Sequence, residues 1–275
     1  MFDTSNLESV TTTGAFTVDT GEMPVTIASP PGGAGDQRSG TLEEREITIH
    51  DARSIADQFD IDREGFQFMS CTSEMSDFYD DEQVRRVYYP EMEKLVAGVT
   101  GASKVLVFDH TIRVGDEAKR EELKLRPPVH AMHNDLTIAS AERRVRDLLP
   151  AGEAEARLKK RFGSVNVWRP IKSPVESAPL GICGYDSLAD GDLIVSERRY
   201  QGRVGGIYSL AHNPDQRWVY FSKMQRHEVL LLKCYDSLTD GTARWTAHGA
   251  FDDPNAPAGA APRESIEIRT MMFWD

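Results

Sequence analysis

A mainly β fold with helical additions, a sandwich or jelly roll, is what this 275-residue sequence predicts. The first observation is a succession of short runs rich in β-branched and aromatic residues: 164–171, 180–183, 192–196, 206–213, 218–221, 229–234 and 263–273. Turn signals separate them, among them Asp190-Gly191, Asn213-Pro214 and Asp240-Gly241. Strands this short and this regularly punctuated fit stacked antiparallel sheets better than a parallel α/β sheet. The length is enough for one large domain with a sizeable core, so residues 1–275 are read as a single domain.

Residues 1–40 mix Thr, Ser, Gly and Pro and are read as partly irregular, with short strands at 16–18 and 24–27 and a Pro/Gly loop between 30 and 40. Residues 46–50 alternate like a strand, and Asp51 is placed to cap a short helix after it. Another alternating run, 66–69, precedes Asp80-Asp81-Glu82. Those acids suit the positive end of a long helix whose apolar face is Val84, Val87, Tyr88, Met92, Leu95 and Val96, with a kink or break expected at Pro90. Residues 104–110 read as a buried strand. The charged run 117–124 is expected to be a solvated loop or lid, and Ser140 to cap an amphipathic helix, followed by a second helix over 153–162.

The chemistry concentrates in residues 129–137. On a strand, side chains two apart share a face, so His133 and Asp135 point the same way. An imidazole and a carboxylate on one face make two thirds of the 2-His-1-carboxylate triad that holds non-haem Fe(II) with positions left open. His248, far downstream across the β-rich interval, is the best-placed third ligand; it precedes Arg263-Glu264-Ser265 and an alternating run carrying Arg269. That order suits a metal site plus a guanidinium for the distal carboxylate of 2-oxoglutarate. Asp109 and His110 are a rival ligand pair, but neighbours on a strand face opposite ways.

Several segments resemble a known family: Val165-Asn166-Val167-Trp168-Arg169-Pro170-Ile171, residues 217–224, 228–237 and 248–254, and Arg263-Glu264-Ser265 with its continuation to Arg269. Together they are similar to the hydroxylase/desaturase family that includes fungal secondary-metabolite oxygenases and the cephalosporin methoxylation subunit. The resemblance covers roughly residues 100–273. It implies a double-stranded β-helix (jelly-roll) core over that range, Fe(II) bound by His133, Asp135 and His248, 2-oxoglutarate as cosubstrate and O₂ as oxidant. The expected outcome is hydroxylation or desaturation of a small secondary metabolite through a ferryl species. Arg263 with Ser265 is the favoured cosubstrate clamp because it matches the superfamily's Arg-x-Ser pattern. The 15-residue step from His248 requires residues 252–262 to loop out. Arg269 shares its strand parity and remains open as the alternative, while Arg169 and Tyr208 are candidate substrate contacts.

A net charge of −12 with no Lys/Arg stripe argues against nucleic acid, and it gives no reason to expect a highly anionic substrate. The start lacks a basic region before an apolar stretch, and no long apolar run occurs, so a cytoplasmic protein without a membrane span is expected. Cys71, Cys183 and Cys234 stand singly, which fits a reducing compartment; a hydrolase built on one of them is disfavoured because none has an adjacent base. The competing function is a jelly-roll binding or partner subunit that does not use metal. No oligomeric state is readable.

Overall fold

A computed structural model describes residues 2–29, 36–172 and 174–275. It is mainly β, with two sheets face to face. The larger has ten strands in the spatial order Ser9–Thr17, Leu42–Asp51, Trp218–Tyr220, Leu180–Cys183, His248–Ala250, His133–Asn134, Arg203–Leu210, Leu193–Tyr200, Val25–Ile27 and Gln37–Arg38. The smaller has five, ordered Phe66–Ser70, Glu228–Asp236, Phe162–Pro170, Glu264–Phe273 and Lys104–Val114. Strands far apart in sequence are thereby made neighbours, as a jelly roll requires.

Period-two patterning explains how the small sheet covers two cores at once. Val229 and Leu231 point outward with Val165, Val167, Ile266 and Ile268, and the N-terminal helical segment packs on them through Val84, Tyr88, Met92 and Val96. The intervening Leu230 and Leu232 point inward with Trp168 against Ile182, Val219 and Phe221. Burial on both faces is why 229–232 reads as a continuous apolar run; the strands 162–170 and 228–236 are both buried along their whole length.

The long helix is compound. Asp80 caps a first turn by accepting from the Gln83 backbone N–H at 3.1 Å, a π-helical stretch Val84–Tyr88 follows, and Tyr89–Thr100 completes it. Pro90 lies in the first turn of that last piece. The wide turn before it accommodates the missing N–H and the ring, so a π-bulge replaces the expected break.

Other local expectations shift. The run 117–124 forms the helix Glu117–Leu123, because Asp116 accepts from the Lys119 N–H and supplies the missing cap. Thr137, not Ser140, caps the helix Ile138–Leu148; Ser140 is its reciprocal partner three residues on. The next helix is Ala151–Arg157, since a buried strand already begins at Phe162. Asp51 ends a strand, although its carboxylate still accepts from the Arg53 N–H at 3.1 Å. Within the expected 30–40 loop, Gln37–Arg38 pairs as a strand with Val25–Ile27, and residues 30–35 lie outside the described residues. No helix among the described residues is long and apolar enough to cross a membrane.

Candidate metal centre

Two short strands at the middle of the large sheet bring the chemistry together. His133–Asn134 pairs antiparallel with His248–Ala250, placing His248 opposite His133. The two imidazole centroids are 4.8 Å apart. Asp135 lies just past its strand yet turns to the same side, its Oδ1 3.3 Å from His133 Nε2. Ligand atoms of His133, Asp135 and His248 all fall within 4.8 Å of one another.

Each histidine is set by the same device. His133 Nδ1 donates to the Ala131 carbonyl at 2.8 Å, and His248 Nδ1 donates to the Thr246 carbonyl at 2.9 Å. A carbonyl only accepts, so the proton sits on Nδ1 and the Nε2 lone pair is left for a metal. Burial, with His133 close by, pushes the pKa of His248 down, which keeps that imidazole neutral. Burial opposes ionisation of Asp135, but Arg269 and the imidazole of His133 overcome it and hold the carboxyl well below its usual range. Two imidazole nitrogens and a carboxylate with no thiolate form an open donor set that suits Fe(II).

Asn134 couples the two ligand strands from the opposite face. Fully buried, it donates to the Leu136 and Cys234 carbonyls at 2.7 and 3.0 Å, and its side-chain oxygen accepts from the Thr246 N–H at 3.3 Å. Thr246 is the residue whose carbonyl orients His248. Asn134→Ala leaves these groups unpaired and is expected to weaken metal affinity about 10- to 100-fold, measured by competition with a chromophoric chelator. Gly249 lets the strands close up, since a Cβ there would lie 2.6 Å from Met132 Sδ.

The strand Glu264–Phe273 contributes an inward row. Arg269 donates from Nε to Asp135 Oδ2 at 3.2 Å and from NH1 to Thr111 at 2.8 Å, and it also pairs with Asp109 and Glu267. With its fork engaged by these acceptors, Arg269 orients the Asp135 carboxylate. Asn166 donates to the same Oδ2 at 2.7 Å, leaving Oδ1 for a metal.

Arg263 is placed differently. Buried to 3% exposure, it donates from one terminal nitrogen to the Ala178 carbonyl, stacks over Trp168, and has no partner for Nε among the described residues. Burial lowers its pKa to about 9, with Arg113 nearby adding to the effect. Arg263, Arg113, Glu267, His133, His248 and Trp168 line one narrow recess behind the histidines. Ser265 is buried on the same side of the strand, at the register of Arg113. The backbone between Ala250 and Glu264 is looped out, as the long step to Arg263 demands.

On the other side of His133 and Asp135 opens a cavity of about 630 Å³, walled by residues that include Phe108, Leu136, Tyr200, Ile207 and Arg269. Two expected substrate contacts face away from it. Arg169 shares parity with Val165 and Val167 and lies under the long helix, donating to Tyr88 Oη and to the Arg226 carbonyl, each at 2.7 Å. Tyr208 alternates with the cavity residues Ile207 and Ser209, so its ring turns to Trp245 at 5.3 Å. Arg169→Met is therefore expected to cost about 1–3 kcal/mol of stability through unpaired buried acceptors. Chemical denaturation measures that loss, and 2-oxoglutarate affinity should stay unchanged.

Of the rival pair, Asp109 meets Arg269 while His110 meets Tyr89 on the other face. His130 and His227 are exposed. Buried Cys183, its pKa pushed up to about 12 by burial, is no nucleophile. Arg113, Asn134 and Asn166 were not singled out by sequence, though parity points to two of them. Asn166 is the polar residue between Val165 and Val167, and Arg113 continues the alternation of Asp109 and Thr111.

Residues 15–273 match the family described as "YDMC: Oxidoreductase/YMDC permease-like domain". The chain is 32% identical over 274 residues to the hydroxylase/desaturase efuI of Hormonema carpetanum, covering 89% of this chain and 91% of that one. It is 33% identical over 236 residues to the Fe(II)/2-oxoglutarate-dependent dioxygenase nvfI of Aspergillus novofumigatus, covering 83% of each. A solved structure of the iron and alpha-ketoglutarate-dependent endoperoxidase NvfI superposes with a TM-score of 0.84 at 28% identity, over 97% of this chain and 98% of that one. By sequence along most of its length and by fold, the chain belongs to the hydroxylase/desaturase family of Fe(II)/2-oxoglutarate-dependent oxygenases.

Proposed function

We propose that this oxygenase binds Fe(II) through His133, Asp135 and His248 and oxidises a small secondary metabolite, by hydroxylation or desaturation, at the expense of 2-oxoglutarate and O₂. The observation that carries the reading is the convergence of three metal-ligating groups between a cationic recess and an open cavity. Bound Fe(II) supplies the redox chemistry that couples decarboxylation of the cosubstrate to oxidation of a C–H bond. The chain's residues bind and orient. Arg263 takes the distal carboxylate of 2-oxoglutarate through its unpartnered Nε edge, with Ser265 beside it and Arg113 adding positive potential. Arg269 and Asn166 hold Asp135, and the two backbone carbonyls hold the imidazole tautomers.

The cavity of about 630 Å³ falls within the usual span for a small-molecule site, roughly 300–1,000 Å³. Three unpaired cysteines, two of them buried, support a reducing, cytoplasmic setting. We take residues 1–275 as one oxygenase domain, because Ser9–Thr17 and Leu42–Asp51 belong to the same sheet as the ligand strands. Incubation with Fe(II), 2-oxoglutarate and O₂ should release succinate in a metal-dependent reaction. Absence of succinate above the metal-free control, from protein that binds both Fe(II) and 2-oxoglutarate, would contradict the reading.

A further inference from the structure

The cavity beside the metal centre has a charge opposite to that of the chain. Among the described residues, nine of the protein's 32 lysines and arginines line it, against four of its 44 acidic residues. Two of those four, Asp109 and Asp135, already face Arg269. In a chain of net charge −12, cations concentrated at one concave surface are a local arrangement and do not follow from composition.

Six arginines form the part of the wall not engaged with the ligands: Arg38, Arg126, Arg143, Arg144, Arg198 and Arg203. Three strands, one loop and one helix supply them, so the clustering is made by the fold. Their mutual neutralisation is thin. Arg126 and Arg198 share the single carboxylate of Asp36, at 3.9 and 2.5 Å, and Arg144 reaches Asp147 only at 3.7 Å. Arg38, Arg143 and Arg203 make no ion pair among the described residues. Burial lowers the pKa of Arg144 with Arg203 beside it, and that of Arg38 with Arg198 beside it.

Two of these guanidinium groups are also held in place. Arg144 lies over the Phe108 ring and Arg203 over the Tyr200 ring, each 4.7 Å from the centroid. Stacking leaves the in-plane N–H donors for an acceptor, and Arg144 Nε is buried without one. Between the cations the walls are apolar, with Phe108, Leu125, Ile207 and Tyr200. A neutral substrate would leave these like charges facing one another across a low-dielectric space. An anion would relieve that repulsion and pair the donors.

We propose that the substrate of this site is an amphiphilic organic anion, an apolar body carrying a carboxylate or comparable acidic group, gripped by the arginine wall with its apolar part directed along the aromatic side. The proposal rests on the oxygenase reading for the word substrate; the anion preference of the cavity stands on the arginines alone.

The test uses full-length protein loaded anaerobically with Fe(II) and saturating 2-oxoglutarate, so that the cosubstrate recess is filled. Two probes of nearly the same shape are titrated by fluorescence: 8-anilinonaphthalene-1-sulfonate, which is an anion, and N-phenyl-1-naphthylamine, which is neutral. The sulfonate should bind at least about ten-fold tighter than the neutral probe, the worth of one charge-assisted hydrogen bond. Arg144→Gln/Arg203→Gln should remove that advantage while leaving the neutral probe's affinity in place, and Arg144→Lys/Arg203→Lys should retain part of it. Equal binding of both probes, or a sulfonate affinity untouched by the glutamine pair, overturns the proposal. The visible band of 2-oxoglutarate on Fe(II), recorded in the same samples, reports separately on the oxygenase reading: its absence sinks that reading whichever way the probes divide.

Discussion

His248→Ala is expected to abolish Fe(II) binding at micromolar metal, and 2-oxoglutarate turnover with it. The side chain is buried to 3% exposure, and its Nδ1 is tied to the Thr246 carbonyl, so its Nε2 is held toward the other two ligands. Loss of a mere supporting partner costs a metal site about 10- to 100-fold in affinity; removing one of three protein ligands should exceed the upper end of that range. The fold should survive, because the sheet pairing at this position runs through the backbone to His133 and Ile182. Chelator competition gives the metal affinity, and circular dichroism confirms that the variant is folded. A folded variant that binds Fe(II) as tightly as the parent would remove His248 from the ligand set.

Arg263→Leu should raise the KM for 2-oxoglutarate about 10- to 100-fold, the effect of losing hydrogen bonds to a charged group worth some 1.5–3 kcal/mol, with metal affinity unchanged. Arg269→Leu should do the reverse. Arg269 spends its donors on Asp135, Asp109, Thr111 and Glu267, so its removal releases the ligand carboxylate and weakens the metal. Arg263 has a buried Nε with no acceptor among the described residues and lines the recess behind the histidines. Steady-state kinetics in 2-oxoglutarate, with Fe(II) titrated separately, distinguish the two arginines. The assignment fails if Arg269→Leu alone raises the KM for 2-oxoglutarate and Arg263→Leu does not.

The β architecture was legible because burial on both faces forces continuous apolar runs such as Val229 to Leu232, bounded by turn residues that cannot continue a strand. The His133 and Asp135 pairing was legible for a similar reason, side-chain period, even though the strand itself stops at Asn134. What sequence could not give was direction in three dimensions. Arg169 and Tyr208 are on genuine strands beside site residues, yet each has the parity that turns it away from the cavity. Parity is readable only once one knows which face looks inward. Likewise the Arg-x-Ser pattern favours Arg263 over Arg269, two residues of equal parity, but it says nothing of which guanidinium carboxylates from other strands have already claimed. The arginine wall was invisible for the same reason. Arg38, Arg126, Arg144 and Arg203 lie far apart along the chain, and whole-chain acidity gives no reason to expect a highly anionic ligand. One helix, Glu117–Leu123, is read as a loop because its cap, Asp116, lies just upstream of the charged run, and the start of another is misplaced from Thr137 to Ser140.

The central claim, that His133, Asp135 and His248 hold an iron to which 2-oxoglutarate binds, is tested most directly by adding Fe(II) and then 2-oxoglutarate to the protein without oxygen and recording the visible spectrum. The parent protein should show a weak charge-transfer band, lost in both His133→Ala and His248→Ala. A folded parent that gives no band, or a band that persists in either variant, would contradict that claim and return the chain to the alternative of a jelly-roll partner subunit that does not use metal.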